Sequence, residues 1–256
     1  MRILVSNDDG VRALGLPPLV RALEELGEVW VVAPNRERSA TSHAFTMFEP
    51  LRLTEYAPRW YSCTGTPADC AYLGMHHVLP APPNLIVSGI NRGSNLSNDV
   101  IYSGTCAAAM EGALFGVPGL AVSLRVEWDV PPEKHNWSHA AELAKEVAAE
   151  ILGRGIPDRT ILNLNVPDGP REAFKGMVPC ALGQRAYEVL VDKRSDPRGR
   201  PYYWLGGKHR GFVGKDSDGD LIGRGYATLT PLQADLTHYG MLATLGEWPL
   251  TSRADP

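Results

Sequence analysis

The chain has 256 residues, of which 44% are hydrophobic and 21% charged, with a formal net charge of -4 at pH 7. This balance supports a packed core and excludes a disordered chain. The lack of any basic block argues against duplex nucleic acid as a partner, because that affinity comes largely from neutralising phosphates.

Residues 1–6 form a short apolar run with Arg2 as its only charge, which predicts a buried strand. Residues 14–26 carry apolar side chains at helical spacing, with Pro17 and Pro18 near the start and Gly27 at the end. Residues 28–33 (EVWVVA) read as a second buried strand, so the chain opens with a βαβ unit and a parallel sheet. Residues 51–54 and 60–64 predict a short β excursion, and residues 66–75 a helix with Pro67 in its first turn. A third buried strand (85–88, LIVS) leads into a long polar loop, 89–104. A small-residue helix (105–115), a core strand (119–124), an amphipathic helix (135–152) and a strand (160–165, TILNLN) complete the α/β pattern.

Beyond Pro167 the character changes. Residues 186–193, 201–205 and 226–231 read as strands between glycine-rich, charged turns, followed by a short helix at 238–245. The alternation of Asp216, Asp218 and Asp220 lacks the glycine and distal glutamate of a calcium loop and reads as a hairpin tip. The expected division is an α/β catalytic domain over 1–167 and a β extension with a C-terminal segment over 168–256, completing the domain and making subunit contacts. No stretch approaches the ~20 apolar residues of a membrane span. The start also lacks the regions of a secretion signal. A cytoplasmic protein without membrane contact is therefore expected. Cys63, Cys70, Cys106 and Cys180 show no CxxC or zinc spacing and read as buried thiols.

Ligands of open α/β sheets collect beyond the carboxyl ends of the strands, and three polar loops lie there. The first carries Asp8 and Asp9, adjacent carboxylates whose ionised forms need a cation or hydrogen-bond donors nearby. Hard oxygen ligands of this kind suit Mg²⁺ or Mn²⁺. A plain turn or a helix cap explains the pair alone equally well. Ser39 and Asn91, after neighbouring strands, can each add a neutral oxygen. In the third loop Ser103-Gly104-Thr105 opens a helix, where free N–H groups and hydroxyls face an anion. A cation site opposite an anion site is what phosphoryl transfer requires, with a carboxylate such as Asp9 placed to orient or deprotonate a water. A covalent aspartyl-phosphate route stays open on these residues, whereas the G-x-G-x-x-G of a dinucleotide fold is absent. His76 and His77 read as helix-end residues, and His43 follows the Ser39 loop.

Several ordered segments, namely Ile3-Leu4-Val5-Ser6-Asn7-Asp8-Asp9-Gly10, Val32-Ala33-Pro34 leading to Arg38-Ser39, Thr64-Gly65-Thr66-Pro67, Val87-Ser88-Gly89-Ile90-Asn91, Ile101-Tyr102-Ser103-Gly104-Thr105 and Asn163-Leu164-Asn165-Val166-Pro167, closely resemble the survival protein SurE family. The resemblance implies a Rossmann-like, mostly parallel three-layer αβα fold with a C-terminal β-hairpin extension for oligomerisation. It implies a divalent-metal-dependent phosphomonoesterase releasing phosphate from nucleoside 5'- and 3'-monophosphates, and also from short polyphosphate. A non-hydrolytic nucleotide-sensing module is the alternative. One divalent cation per subunit, Mn²⁺ or Mg²⁺, is implied at Asp8, Asp9, Ser39 and Asn91, with Asp8 and Asp9 catalytic. Asn95, Ser103, Gly104 and Thr105 match the phosphate-side loops, and a homodimer or homotetramer is implied. The chain departs from the pattern at Ala40 and Ser97, where related chains often have glycine.

Overall fold

The structure is a computed structural model and describes residues 1–249; the last seven residues of the C-terminal segment expected above, 250–256, lie outside the described residues. The chain begins with strand β1 (Arg2–Ser6), helix α1 (Leu16–Leu23) and strand β2 (Glu28–Pro34). Strands β3 (Leu53–Ala57) and β4 (Trp60–Cys63), helix α2 (Pro67–Leu73), strand β5 (Leu85–Arg92) and helix α3 (Gly104–Leu114) follow. Strand β6 (Gly119–Arg125), helix α4 (Trp137–Arg154) and strand β7 (Thr160–Pro167) close the regular part. Then come β8 (Met177–Pro179), β9 (Gln184–Ser195), β10 (Pro201–Val213), α5 (Asp218–Gly223), β11 (Ala227–Gln233) and α6 (Tyr239–Gly246).

The main sheet runs β3-β4-β2-β1-β5-β6-β7-β11-β8. From β4 to β7 all neighbours are parallel, while β3 and β11 pair antiparallel with β4 and β7. The chain fills the sheet outward from β1 to β2 and β4, then returns to β5 and fills the other side. The order therefore reverses between β1 and β5, and the crevice at such a reversal is where doubly wound sheets bind ligands.

Layering follows from the strand alternation. Ile3, Val5, Val87 and Val122 face α1 and α4, and Leu4, Val32 and Ile86 face the α2 side. Helix α1 buries Leu16, Leu19, Val20 and Leu23, one stripe at 3.6-residue spacing. Full burial of each leucine contributes roughly 1.5–3 kcal/mol. Helix α3 has no such stripe; its alanines are buried nearly all round. They let the helix lie close to the sheet, since a Cβ on Gly119 of β6 would stand 2.5 Å from the Ala109 carbonyl oxygen. The α/β fold expected from the sequence is thus observed, three-layered and Rossmann-like.

Two local expectations need correction. Residues 216–220 are not a hairpin tip: they end a turn and start α5, with Asp218 fully buried. The reason is tertiary, because the Asp218 carboxylate accepts bonds from distant segments, as described below. Strand β8, only three residues long and ending in Pro179, carries no alternation to read. The hairpin extension is present as β9–β10, an antiparallel arm longer than its apolar runs suggest. It leaves Tyr203, Trp204 and Leu205 exposed.

Candidate active site

The turn after β1 is shaped by Asn7. Its Nδ2 donates to the Gly10 carbonyl and its Oδ1 accepts from the Gly10 amide, both at 3.0 Å. This clasp turns the chain so that Asp8 and Asp9 diverge to two walls of the crevice. The Asp8 Oδ1 accepts from the Thr105 hydroxyl at 2.7 Å, and the Asp9 Oδ2 accepts from the Arg92 amide at 2.9 Å, at the end of β5. The Arg38 amide donates to the Asp8 carbonyl at 2.7 Å, fixing the second loop against the first.

Burial dominates the electrostatics. Desolvation, then the neighbouring Asp9 charge, pushes the Asp8 carboxyl up to about 7, outweighing the Thr105 bond. Asp9 is also raised, again first by burial. A buried acid beside a partly buried one, with so little compensation, forms a place where a cation replaces protons. Among the described residues no three His, Cys, Asp or Glu side chains converge on one point. A cation here would therefore rely on two carboxylates and neutral oxygens, a donor set that fits a hard divalent ion. Asn91 can supply one such oxygen: its Nδ2 donates to the Gly93 carbonyl at 2.7 Å, leaving Oδ1 for a ligand. Ser39 is exposed, and its hydroxyl donates to Glu37 Oε1 at 2.8 Å rather than reaching the acids.

The anion side is built on α3. Ser103 caps the helix by accepting from the Cys106 amide at 3.0 Å. Gly104 and Thr105 are the first two helical residues, so their amides have no carbonyl partner within the helix. A Cβ on Gly104 would lie 3.0 Å from both the Asp8 Cβ and Pro67 Cγ. Any larger residue here would have to push the helix start and the acid apart by a few tenths of an ångström. Asn95 joins the same network, its Nδ2 donating to the Ser123 hydroxyl at 2.8 Å and to Thr105 Oγ1 at 3.3 Å. Burial pushes the neighbouring Cys106 thiol up to about 12, which keeps it protonated and unfit as a nucleophile.

Asp8, Asn95 and Thr105 are thus joined by one hydrogen-bond chain. Asp9 and Asn91 stand at the adjoining strand end, Ser103 and Gly104 at the helix start, and Ser39 at the edge of its own loop. Sequence reasoning missed the residues that hold these in place. Asn165 Oδ1 accepts from the Asn95 amide at 2.8 Å, while Asn163 and Asn165 donate to the Asn95 carbonyl at 2.9 and 3.0 Å. Two asparagines at i and i+2 in an apolar strand were the available signal. Asp218 accepts from the Ser97 amide at 2.6 Å, the Ser97 hydroxyl at 3.2 Å and the Gly183 amide at 2.8 Å. Asp69 accepts from the Thr66 amide at 2.8 Å and from the Thr46 hydroxyl at 2.6 Å. Thr66 followed three residues on by an acid is a readable capping box. His43 Nε2 lies 2.6 Å from Glu111 Oε2, tying the Ser39 loop to α3.

The chain is similar to known proteins over nearly its whole length. The family model described as Survival protein SurE matches residues 3–189. A 5'-nucleotidase SurE from Geotalea uraniireducens is 46% identical over 252 residues, covering 98% of this chain and all of the relative. A 5'-nucleotidase SurE from an Anaeromyxobacter species is 49% identical over 253 residues, covering 97% of this chain and 96% of the relative. The crystal structure of a SurE protein from Aquifex aeolicus superposes with a TM-score of 0.84 at 36% identity, covering 96% of this chain and 98% of that one. With a matched model over most of its length and relatives that share nearly half its residues, the chain belongs to the survival protein SurE family.

Proposed function

We propose that the protein is a divalent-metal-dependent phosphomonoesterase that releases phosphate from nucleoside 5'-monophosphates, and from 3'-monophosphates. The observation that carries this reading is the single hydrogen bond from Thr105 to Asp8, which sets a buried acid pair directly against an anion-binding helix start. The names of the relatives, 5'-nucleotidase SurE, support the nucleotide as substrate.

Asp8, Asp9 and Asn91 would hold one Mn²⁺ or Mg²⁺, with Ser39 reaching it after release from Glu37. When bound, the ion polarises a phosphoryl oxygen and lowers the pKa of a water. The Gly104 and Thr105 amides receive the phosphoryl oxygens and hold them in fixed orientation, while Asn95, whose side-chain amide donates to Ser123 and Thr105, keeps Thr105 in place beside them. Asp9, less buried than Asp8, is placed to orient the attacking water and take its proton. The exposed aromatic residues of the β9–β10 arm support a homodimer or homotetramer, which sedimentation velocity of the purified chain reads directly.

The test is phosphate release from a panel of nucleoside monophosphates, first with EDTA and then with Mn²⁺ or Mg²⁺ restored. EDTA should abolish release and metal restore it. Asp8→Asn and Asp9→Asn should each lower kcat by about 100-fold or more with the fold intact. Full turnover in either variant removes the acid pair from the chemistry. Stoichiometric nucleotide binding without turnover under every metal would replace the hydrolase with a sensing module.

A further inference from the structure

Beside the acid pair lies a second polar recess of about 460 Å³, which the reading above leaves unused. Arg36, Arg38 and Arg52 line it together with Thr64 and Thr66, and Glu49 is the acidic side chain among the lining residues. None of the three guanidinium groups forms an ion pair with any described carboxylate. The walls are fixed. An Arg38 side-chain nitrogen donates to the Thr64 carbonyl at 2.5 Å, and Thr46 and Thr66 are both pinned to Asp69. The Arg38 Nε is buried without any hydrogen-bond partner. A buried guanidinium N–H that is unpaired costs free energy unless a ligand or water completes it. Three like charges around one recess, opposed by one carboxylate, likewise favour an anion.

The recess adjoins the active site through its main chain. The Arg38 amide holds the Asp8 carbonyl, and the backbone of Arg36 passes within 3.2 Å of where a Gly10 Cβ would stand. On the far side the Thr64–Thr66 turn leads into Pro67, which touches Gly104 at the start of α3. The same two loops therefore wall both the acid pair and the arginine recess.

We propose that this recess is a second phosphoryl-binding subsite, distinct from the one at the start of α3. Planar guanidinium forks match phosphate oxygens, and their number exceeds what one exposed carboxylate neutralises. Its occupant is a phosphate that is not being cleaved: the second phosphate of a doubly phosphorylated nucleotide, or free inorganic phosphate. The inference rests on the hydrolase reading for its kinetic assay, and a binding measurement separates the two.

The experiment compares a nucleoside 3',5'-bisphosphate with the matched 5'-monophosphate on wild type and on the double variant Arg36→Ala/Arg52→Ala. Both side chains are exposed, so the fold should persist, and thermal melting checks it. With a substrate-borne phosphate, wild type shows a KM about tenfold lower for the bisphosphate. The double variant brings the two KM values together and moves the monophosphate KM less than twofold. With free phosphate as the occupant, wild type shows no such preference. Added inorganic phosphate instead inhibits it in two phases, and the variant loses one. Equal KM values and single-phase inhibition in wild type overturn the proposal. Should no monophosphate be hydrolysed at all, the acid-pair reading fails first. Calorimetric titration of inorganic pyrophosphate in EDTA still decides the recess: binding by wild type that the double variant loses supports it, and equal binding by both overturns it.

Discussion

At the scale of single residues, Ala40 and Ser97 show how this chain diverges from its pattern. Both stand in the left-handed region, with φ of 56°. A side chain there costs about 1–2 kcal/mol, which glycine avoids. Ala40→Gly should therefore raise stability by about 1 kcal/mol, read as a shift in the denaturant midpoint. Ser97→Gly relieves the same strain but loses the hydroxyl bond to Asp218, so its net change should be near zero. An equal gain in both variants would mean that the hydroxyl bond contributes nothing. Departures from glycine were visible in the sequence, but the dihedral that gives them meaning was not. The acid pair was legible for a simpler reason: two adjacent carboxylates at the end of an apolar strand leave few alternatives. Its extreme burial was not, because desolvation depends on which helix arrives opposite.

At the scale of elements, most helices and strands are legible in the sequence, the short strands 53–57 and 60–63 and the short helix 239–246 among them, whereas α5 and β8 are not. The helix around residues 137–154 and the strands 2–6, 28–34 and 160–167 declare themselves by spacing alone. Helix α5 does not, since DGDLIG carries two acids and two glycines in six residues. It exists because Asp218 joins the Ser97 loop and the root of the arm, a contact 121 residues away in sequence. That position holds Ser97 two residues from Asn95, on the phosphate side of the site. Asp218→Asn places an amide against four donors and should loosen that loop. We expect the monophosphate KM to rise by roughly fivefold to tenfold with a smaller change in kcat. A lowered melting temperature with unchanged kinetics would make Asp218 a purely structural tie. Asn163 and Asn165 act from the other side of the same loop, so Asn95 is gripped from β7 and, through Ser97, from α5.

At the scale of the whole molecule, the raised acid of Asp8 links metal, pH and stability. Its carboxyl titrates near 7 in the folded chain, against about 3.8 when exposed. The folded state thus binds this proton more tightly than the unfolded state does. The stabilisation is complete below the unfolded value and is lost as pH rises through about 7. Between about pH 4 and pH 7, the EDTA-treated wild type should lose more melting temperature than Asp8→Asn, which carries no such acid. Saturating Mn²⁺ should abolish the difference by binding only the folded site. Parallel pH profiles without metal would show that Asp8 is solvated after all. Asp8 sits buried at the sheet's reversal, where β1, β5 and α3 converge.

The neck of the β9–β10 arm has a further consequence. The Asp218 amide donates to the Ala181 carbonyl at 3.0 Å while its carboxylate holds the Gly183 amide, so the chain leaves and re-enters the body through one clasp. Everything between is an insertion with joined ends, bracketed by β8 and β11, which belong to the central sheet. Loop-closure entropy grows only slowly with length once such a clasp is made. The distal arm is then free to lengthen, shorten or change its surface across descendants while the catalytic body keeps its shape. A cut at Pro167 has no such freedom, because it would strip the sheet of β11 and the site loop of Asp218.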